Sequence, residues 1–203
     1  MIILGLTGSI GMGKSTTAAM FKQAGIPVYD ADAAVHEIYA PGGAAVGPLS
    51  ERFGDILKDG GVDRAALRAK VVNNPDAMRD LEAIVHPLVG LSQMNFRQQA
   101  LESDALFAVL DIPLLYETGG DARCDYVAVV TAPANVQRDR VLARGEMSEA
   151  QFEQIKAKQM ADAEKRARAD FIINTSFGFD FARAHVQSIT DLLNGLAAEA
   201  SDG

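Results

Sequence analysis

A chain of 203 residues, 48% of them hydrophobic, has room for one α/β domain with a sizeable core. Its formal net charge of −8 argues against nucleic acid as the main partner, because phosphate backbones select basic faces. The single cysteine, Cys124, excludes an internal disulfide and a cysteine-built metal site, and no apolar run approaches the ~20 residues of a membrane span.

Ile2, Ile3, Leu4 and Leu6 form an apolar run fit for a buried parallel strand. No basic n-region precedes it, so it does not read as a secretory signal, and a reducing cytoplasm is the expected setting. The next residues, Gly8-Ser9-Ile10-Gly11-Met12-Gly13-Lys14-Ser15, fit G-x-x-x-x-G-K-[ST], the P-loop. A helix is expected from Thr16 to Lys22, stopped by Gly25. Strand, glycine-rich loop and helix thus stand in the order that the motif needs.

The physical roles follow from residue type. Glycines let successive N–H groups turn into one concavity that holds a triphosphate, favoured further by the following helix N-terminus. Gly8, Gly11, Met12, Gly13, Lys14, Ser15 and Thr16 are therefore the expected nucleotide-binding set. Lys14 reaches the β- and γ-phosphates, and Ser15 offers a hydroxyl to Mg²⁺.

A second short strand is expected over Ile26–Asp30, with Pro27 restricted to its start or to an edge. Asp30-Ala31-Asp32 closes it and a helix follows from about Ala33 to Tyr39. Ligands of open α/β sheets bind beyond the carboxyl ends of strands, so Asp30 and Asp32 are expected on the P-loop rim. From spacing alone Asp32 reads either as a site carboxylate or as a helix cap.

Residues 44–105 look helical. Helices are expected over Val46–Phe53, after the cap Asp63, and from Pro75, with a break or kink at His86-Pro87. Arg64, Arg68, Lys70 and Arg79 suit an anionic ligand or, more simply, a solvated face. His86 reads on spacing as a core or cap histidine.

Leu106–Asp111 reads as a buried strand ending in an acid, placed either for Mg²⁺ or water or as a turn cap. Tyr126–Thr131 is a fourth strand and Asp170–Ile173 a fifth. Between them come helices over Asn135–Arg144 and from the capping box Ser148-Glu149-Ala150-Gln151 to about Met160, then a short one capped by Asp162. Asp180 caps the last helix, with Ile189, Leu193 and Leu196 on one stripe. Residues 138–168 carry eight Lys/Arg against six Asp/Glu in an otherwise acidic chain. That basic segment reads as a mobile lid over phosphates or as an ordinary charged helix pair.

With these motifs in place, the chain resembles the dephospho-coenzyme A kinases of the P-loop kinase group. The resemblance rests on Leu6-Thr7-Gly8 through Thr16, Val28-Tyr29-Asp30-Ala31-Asp32 and Asp63-Arg64-Ala65-Ala66-Leu67-Arg68. Leu81 through Leu88, with His86-Pro87, Asp111-Ile112-Pro113-Leu114-Leu115-Tyr116-Glu117, Gln159-Met160 and Glu164-Lys165 complete it. It implies a three-layer α/β P-loop kinase fold: a five-stranded parallel sheet flanked by helices, with a helical substrate-binding insertion and a helical lid. The implied parts of this one domain are a nucleotide core at about 1–31, 106–137 and 169–203, a CoA-binding part at about 32–105 and a lid at about 138–168.

The implied reaction moves the γ-phosphate of ATP, with Mg²⁺, to the ribose 3′-hydroxyl of dephospho-CoA. Asp32 takes the place of the proposed catalytic carboxylate, Lys14, Arg140 and Arg144 neutralise charge, and Thr7, Arg64, Arg68, His86, Leu115 and Glu117 join the acceptor site. The implied partner is this small molecule, with neither nucleic acid nor membrane, and nothing calls for more than a monomer. Asn174-Thr175 departs from the Asp-Asn of many members, which leaves adenine contacts unassigned. Another P-loop nucleoside or nucleotide kinase would share the core. A switch GTPase would need Asn-Lys-x-Asp and Asp-x-x-Gly segments, and the sequence has neither. A non-catalytic nucleotide-binding subunit is disfavoured by Lys14, Ser15 and Asp32.

Overall fold

The computed structural model describes residues 1–201. β1 (Ile2–Thr7), α1 (Lys14–Gln23) and β2 (Val28–Asp30) open the chain. α2 (Ala31–Tyr39), α3 (Val46–Phe53), β3 (Leu57–Lys58), β4 (Gly61–Val62), α4 (Arg64–Val71) and α5 (Pro75–Glu102) follow. β5 (Phe107–Asp111), β6 (Tyr126–Thr131), α6 (Ala134–Ala143), α7 (Glu149–Lys156), α8 (Asp162–Arg168), β7 (Phe171–Asn174) and α9 (Phe179–Ser201) complete it. Two compact units result, one from Met1–Tyr29 with the chain from Ala100 onward, the other Asp30–Gln99.

In the first unit five strands form one sheet in the order β2-β5-β1-β6-β7. β1 runs parallel to β5 and to β6, and β6 parallel to β7. The apolar runs named from sequence supply these strands, because a strand covered on both faces needs hydrophobic residues throughout. β6 shows the division of faces. Ala128 and Val130 join Leu4, Leu6, Phe21, Val109, Ile173, Val186 and Leu193 under α1 and α9, while Val127 and Val129 pack with Leu115 and Tyr116. Pro27 lies just before the edge strand β2, where only its carbonyl is used, accepting from Val109 N–H.

α1 ends as the glycine predicts. Gly25 sits at φ +82, Ile26 N–H reaches Phe21 O and Gly25 N–H reaches Lys22 O, the paired bonds of a Schellman motif. α9 buries Val186, Ile189 and Leu193. It starts at Phe179, so Asp180 lies in its first turn and is not the cap. α7 stops at Lys156, short of the expected Met160. α8 begins at Asp162, whose carboxylate accepts from Thr131 Oγ1 and Arg166 Nε instead of capping.

The second unit packs around Leu49, Phe53, Ile56, Leu67, Val71 and Val85. Asp63 caps α4 through Ala65 and Ala66 N–H, as expected. Two features differ from the sequence reading. β3 and β4 form a small antiparallel hairpin around Asp59 (φ 51) and Gly60 (φ 82), positive at both turn residues as a type I′ turn requires. α5 also continues through Pro87 for 28 residues, with no break at His86. Proline removes one N–H and crowds the carbonyl four residues back. The apolar positions on both sides of it, Leu81, Ile84, Val85, Leu88 and Val89, pack on the same core and hold the helix together across it.

No described helix is long and apolar enough to cross a membrane. Leu193 is fully buried between α9 and the sheet. Leu193→Ala should cost about 2–5 kcal/mol in urea unfolding. A loss below about 0.5 kcal/mol, the range of surface changes, would show that α9 is not part of this core.

Candidate functional site

Three glycines set the path of the loop between β1 and α1. At Gly8 a Cβ would come within 2.7 Å of Val130 O, so the backbone passes directly over β6. Gly11 sits at φ +77 with a Cβ position 2.9 Å from Gln137 O of α6. Met12 is buried, and Ala132 N–H donates to its Sδ at 3.0 Å. Gly13, at φ +96, is the N-cap of α1 and brings no side-chain acceptor to the first helical amides. Those amides carry the positive end of the helix dipole, so the loop and helix start offer an anion a ready site.

Lys14 Nζ lies 2.5 Å from Asp111 Oδ1, at the end of β5. Asp111 is 3% exposed. It holds the ammonium at the mouth of the loop. Ser15 and Thr16 are exposed. Among the described residues no group of three or more His, Cys, Asp or Glu is placed to hold a metal. Mg²⁺ bound through phosphates needs only one or two protein oxygens, and the Ser15 hydroxyl and Asp111 carboxylate are donors of that hard type.

Beside the loop lies a cavity of about 410 Å³, bordered by Gly11, Gly13, Thr16, Arg144, Thr175 and Phe179 among others. Thr175 organises its wall. Its hydroxyl donates to Met12 O at 2.7 Å and accepts from Arg140 Nη1 at 2.8 Å, while its carbonyl accepts from Arg140 Nη2 at 2.8 Å. Arg140, expected over the phosphates, thus has its guanidinium pinned to Thr175 at the cavity. Arg144, exposed at the C-terminus of α6, borders the same cavity.

The loop after β5 ties the basic segment to the sheet. Glu117 Oε1 accepts from Lys165 Nζ and from Met160 N–H, each at 2.8 Å. Lys165 is fully buried. Burial alone would raise the Glu117 carboxyl, but the hydrogen bonds from Lys165 and Met160 outweigh it and hold the group below its ordinary value. Thr7 is fully buried and donates to Pro113 O at 3.0 Å. Leu115 is also fully buried, packed with Tyr116, Val127 and Val129. Thr7 and Leu115 thus keep their side chains inside the unit, and Glu117 engages Lys165 and Met160 through Oε1.

In the second unit Asp30 is the N-cap of α2, accepting from Ala33 N–H at 3.0 Å. Asp32 lies in the first turn, exposed, so the capping alternative falls to its neighbour. Arg64 and Arg68 are exposed one turn apart on α4, Arg64 with its guanidinium 5.6 Å from the Tyr39 ring centre. His86 is exposed on α5, so it is neither a core nor a cap histidine. Arg79 pairs with Asp76 on the surface.

Thr175 and Lys165 are the residues that pattern reading missed. Thr175 was visible only as a departure from a family pair, and Lys165 only as part of a matched motif. The Glu117 pair has a signed pH signature. A carboxyl lowered by folding adds stability above its ordinary pKa, and that stability disappears as pH falls through the folded value. Glu117→Gln should therefore unfold at lower temperature than wild type near pH 7, and the gap should narrow below about pH 4.3, the ordinary Glu value. A gap independent of pH in melting curves would refute this role.

Comparison with known proteins agrees with this geometry. The family model described as dephospho-CoA kinase matches residues 2–180. A protein of that name from Rhodopseudomonas palustris (strain HaA2) is 54% identical over 191 residues, 94% of this chain and 95% of its own length. Another from Cereibacter sphaeroides is 56% identical over 186 residues, 92% of each chain. A crystal structure from Thermus thermophilus superposes at TM-score 0.82 with 32% identity, covering 93% of this chain and 95% of that one. The dephospho-CoA kinase structure from Campylobacter jejuni gives 0.62 at 23% identity over 94% and 96%, a likeness of fold. With the family model covering most of its length and relatives above half identity, the chain belongs to the dephospho-CoA kinase family.

Proposed function

We propose that this kinase transfers the γ-phosphate of ATP to the ribose 3′-hydroxyl of dephospho-CoA, giving coenzyme A and ADP in the final step of coenzyme A synthesis. The observation that carries the donor half is the P-loop with Lys14 held at its mouth by Asp111. Family membership carries the acceptor half. The reading places the enzyme in the cytoplasm, with a small-molecule partner and no membrane.

Phosphoryl transfer runs through a loose transition state, so the protein positions groups and offsets charge. The amides of Gly11 to Thr16 hold the β- and γ-phosphates. Lys14 exchanges the Asp111 carboxylate for phosphate oxygens. Ser15 and Asp111 would hold Mg²⁺, which when bound supplies positive charge against the phosphates. The cavity beside Thr175 receives the base and ribose of the donor, with Arg140 as its wall. Arg144, exposed there, meets the phosphate charge. Asp32, not used as a cap, orients the acceptor hydroxyl and takes its proton. Arg64 and Arg68, one turn apart, and His86 bind the acceptor's anionic groups.

Incubation with ATP, Mg²⁺ and a panel of acceptors tests the reading. Dephospho-CoA should be used far better than adenosine or AMP, and equal use of AMP would favour a nucleotide kinase. Asp32→Asn should lower kcat by roughly 10²–10⁴ with ATP affinity little changed. Asp30→Asn keeps a capping oxygen and should stay near wild type. If Asp32→Asn retains kcat within about threefold, well short of the general-base range, the carboxylate is not catalytic. Lys14→Ala should nearly abolish transfer in a folded protein, and normal turnover would end the P-loop reading.

A further inference from the structure

The residue at the crest of the loop, Ile10, is gripped from both sides by two glutamines. Its carbonyl accepts from Gln137 Nε2 at 2.7 Å, and its N–H donates to Gln159 Oε1 at 3.1 Å. These two groups belong to successive peptide planes. No peptide bond is cis, so in each plane the N–H and C=O point opposite ways. Turning the Ile10 carbonyl toward Gln137 therefore aims Gly11 N–H to the other side. Turning Ile10 N–H toward Gln159 aims the Ser9 carbonyl away, where it accepts from Met12 N–H at 3.1 Å. Together the two side chains fix the backbone of Ile10, and with it the direction of Gly11 N–H.

The two glutamines differ in what carries them. Gln137 is 2% exposed inside α6, a regular helix. Gln159 sits in the turn between α7 and α8, which has no helix of its own. That turn is pinned one residue later. Met160 N–H and the buried Lys165 ammonium both reach Glu117 Oε1, and Lys165 Nζ lies 3.5 Å from Pro113 O, the carbonyl that also accepts from Thr7. The turn therefore lies at a set distance from the sheet, with Gln159 reaching from it to the loop.

We propose that Gln159 is a positioning residue for the phosphate donor: through its bond to Ile10 N–H, the α7–α8 turn, anchored by Glu117 and Lys165, sets the shape of the P-loop. Gln159 acts through the loop backbone and contacts no reacting atom. The effect belongs on donor binding, and the acceptor is unaffected. This rests on the reading that the loop takes the ATP polyphosphate.

The test uses Gln159→Met, which keeps the length and removes the acceptor oxygen. One net hydrogen bond corresponds to about a fivefold change in affinity. The Kd for ADP by calorimetry and the KM for ATP should each rise about that much, with dephospho-CoA KM and melting temperature unchanged and the Ile10 amide resonance shifted. Glu117→Gln should weaken ADP similarly, and the double variant should be no worse than either single by more than about twofold, since both break one linkage. If Glu117→Gln does not fold, Gln159→Met decides alone. Wild type that binds ADP while Gln159→Met binds it equally, with the Ile10 resonance unmoved, overturns the proposal. So does an equal rise in both substrate KM values, the mark of general loosening. Wild type that binds no adenine nucleotide defeats the donor-site reading, and the proposal with it.

Discussion

Everything at the donor site depends on how closely the loop after β1 passes over β6 and α6. A methyl group at Gly8 would strike the Val130 carbonyl, and one at Gly11 the α6 backbone. Because no side chain intervenes, the loop lies against two rigid elements, and its amides are ordered before any ligand arrives. Ligand binding then does not bear the entropic cost of ordering that backbone. Thr175 extends the same constraint to the end of β7 by bonding Met12 O.

A chain of net charge −8 that receives polyanions must do so by local arrangement. Its cations are rationed between structure and chemistry. Lys165 is buried against Glu117, Arg140 is tied to Thr175, and Arg138 is paired on the surface with Glu149. Only part of the basic segment that stands out in the sequence is therefore available to phosphate. Net charge informs about nonspecific partners, while the placing of each cation decides the site.

Sequence was most informative where one local rule dominates. Buried parallel strands appear as unbroken apolar runs, and each expected strand is present. The Asp63 cap and the Ser148–Gln151 capping box were legible because their partners lie three residues away or fewer. The Asp59-Gly60 hairpin signal was there to be read, but strands of two residues carry no periodicity to confirm it. Pro87 misled because tertiary packing outweighed a local penalty. The split between Asp30 and Asp32 turned on where α2 begins, and helix ends are hard to fix to within two residues. Lys165 could not be found by pattern, since lysine is almost never fully buried and its partner stands far off in the chain.

The position of β1 also bears on how the protein is made. β1 lies in the middle of the sheet, yet its neighbours are β5, with Ile2 beside Phe107, and β6, with Leu4 beside Tyr126. A ribosome adding about 5–20 residues each second delivers those partners seconds after β1 has emerged. Through that interval an apolar strand with two open edges is present in the nascent chain. Closing the sheet then requires pairing over long separations, which is the slow kind of folding. The strand that leads into the nucleotide loop is synthesised early and can be buried only late, and during that delay the nascent chain is most open to aggregation.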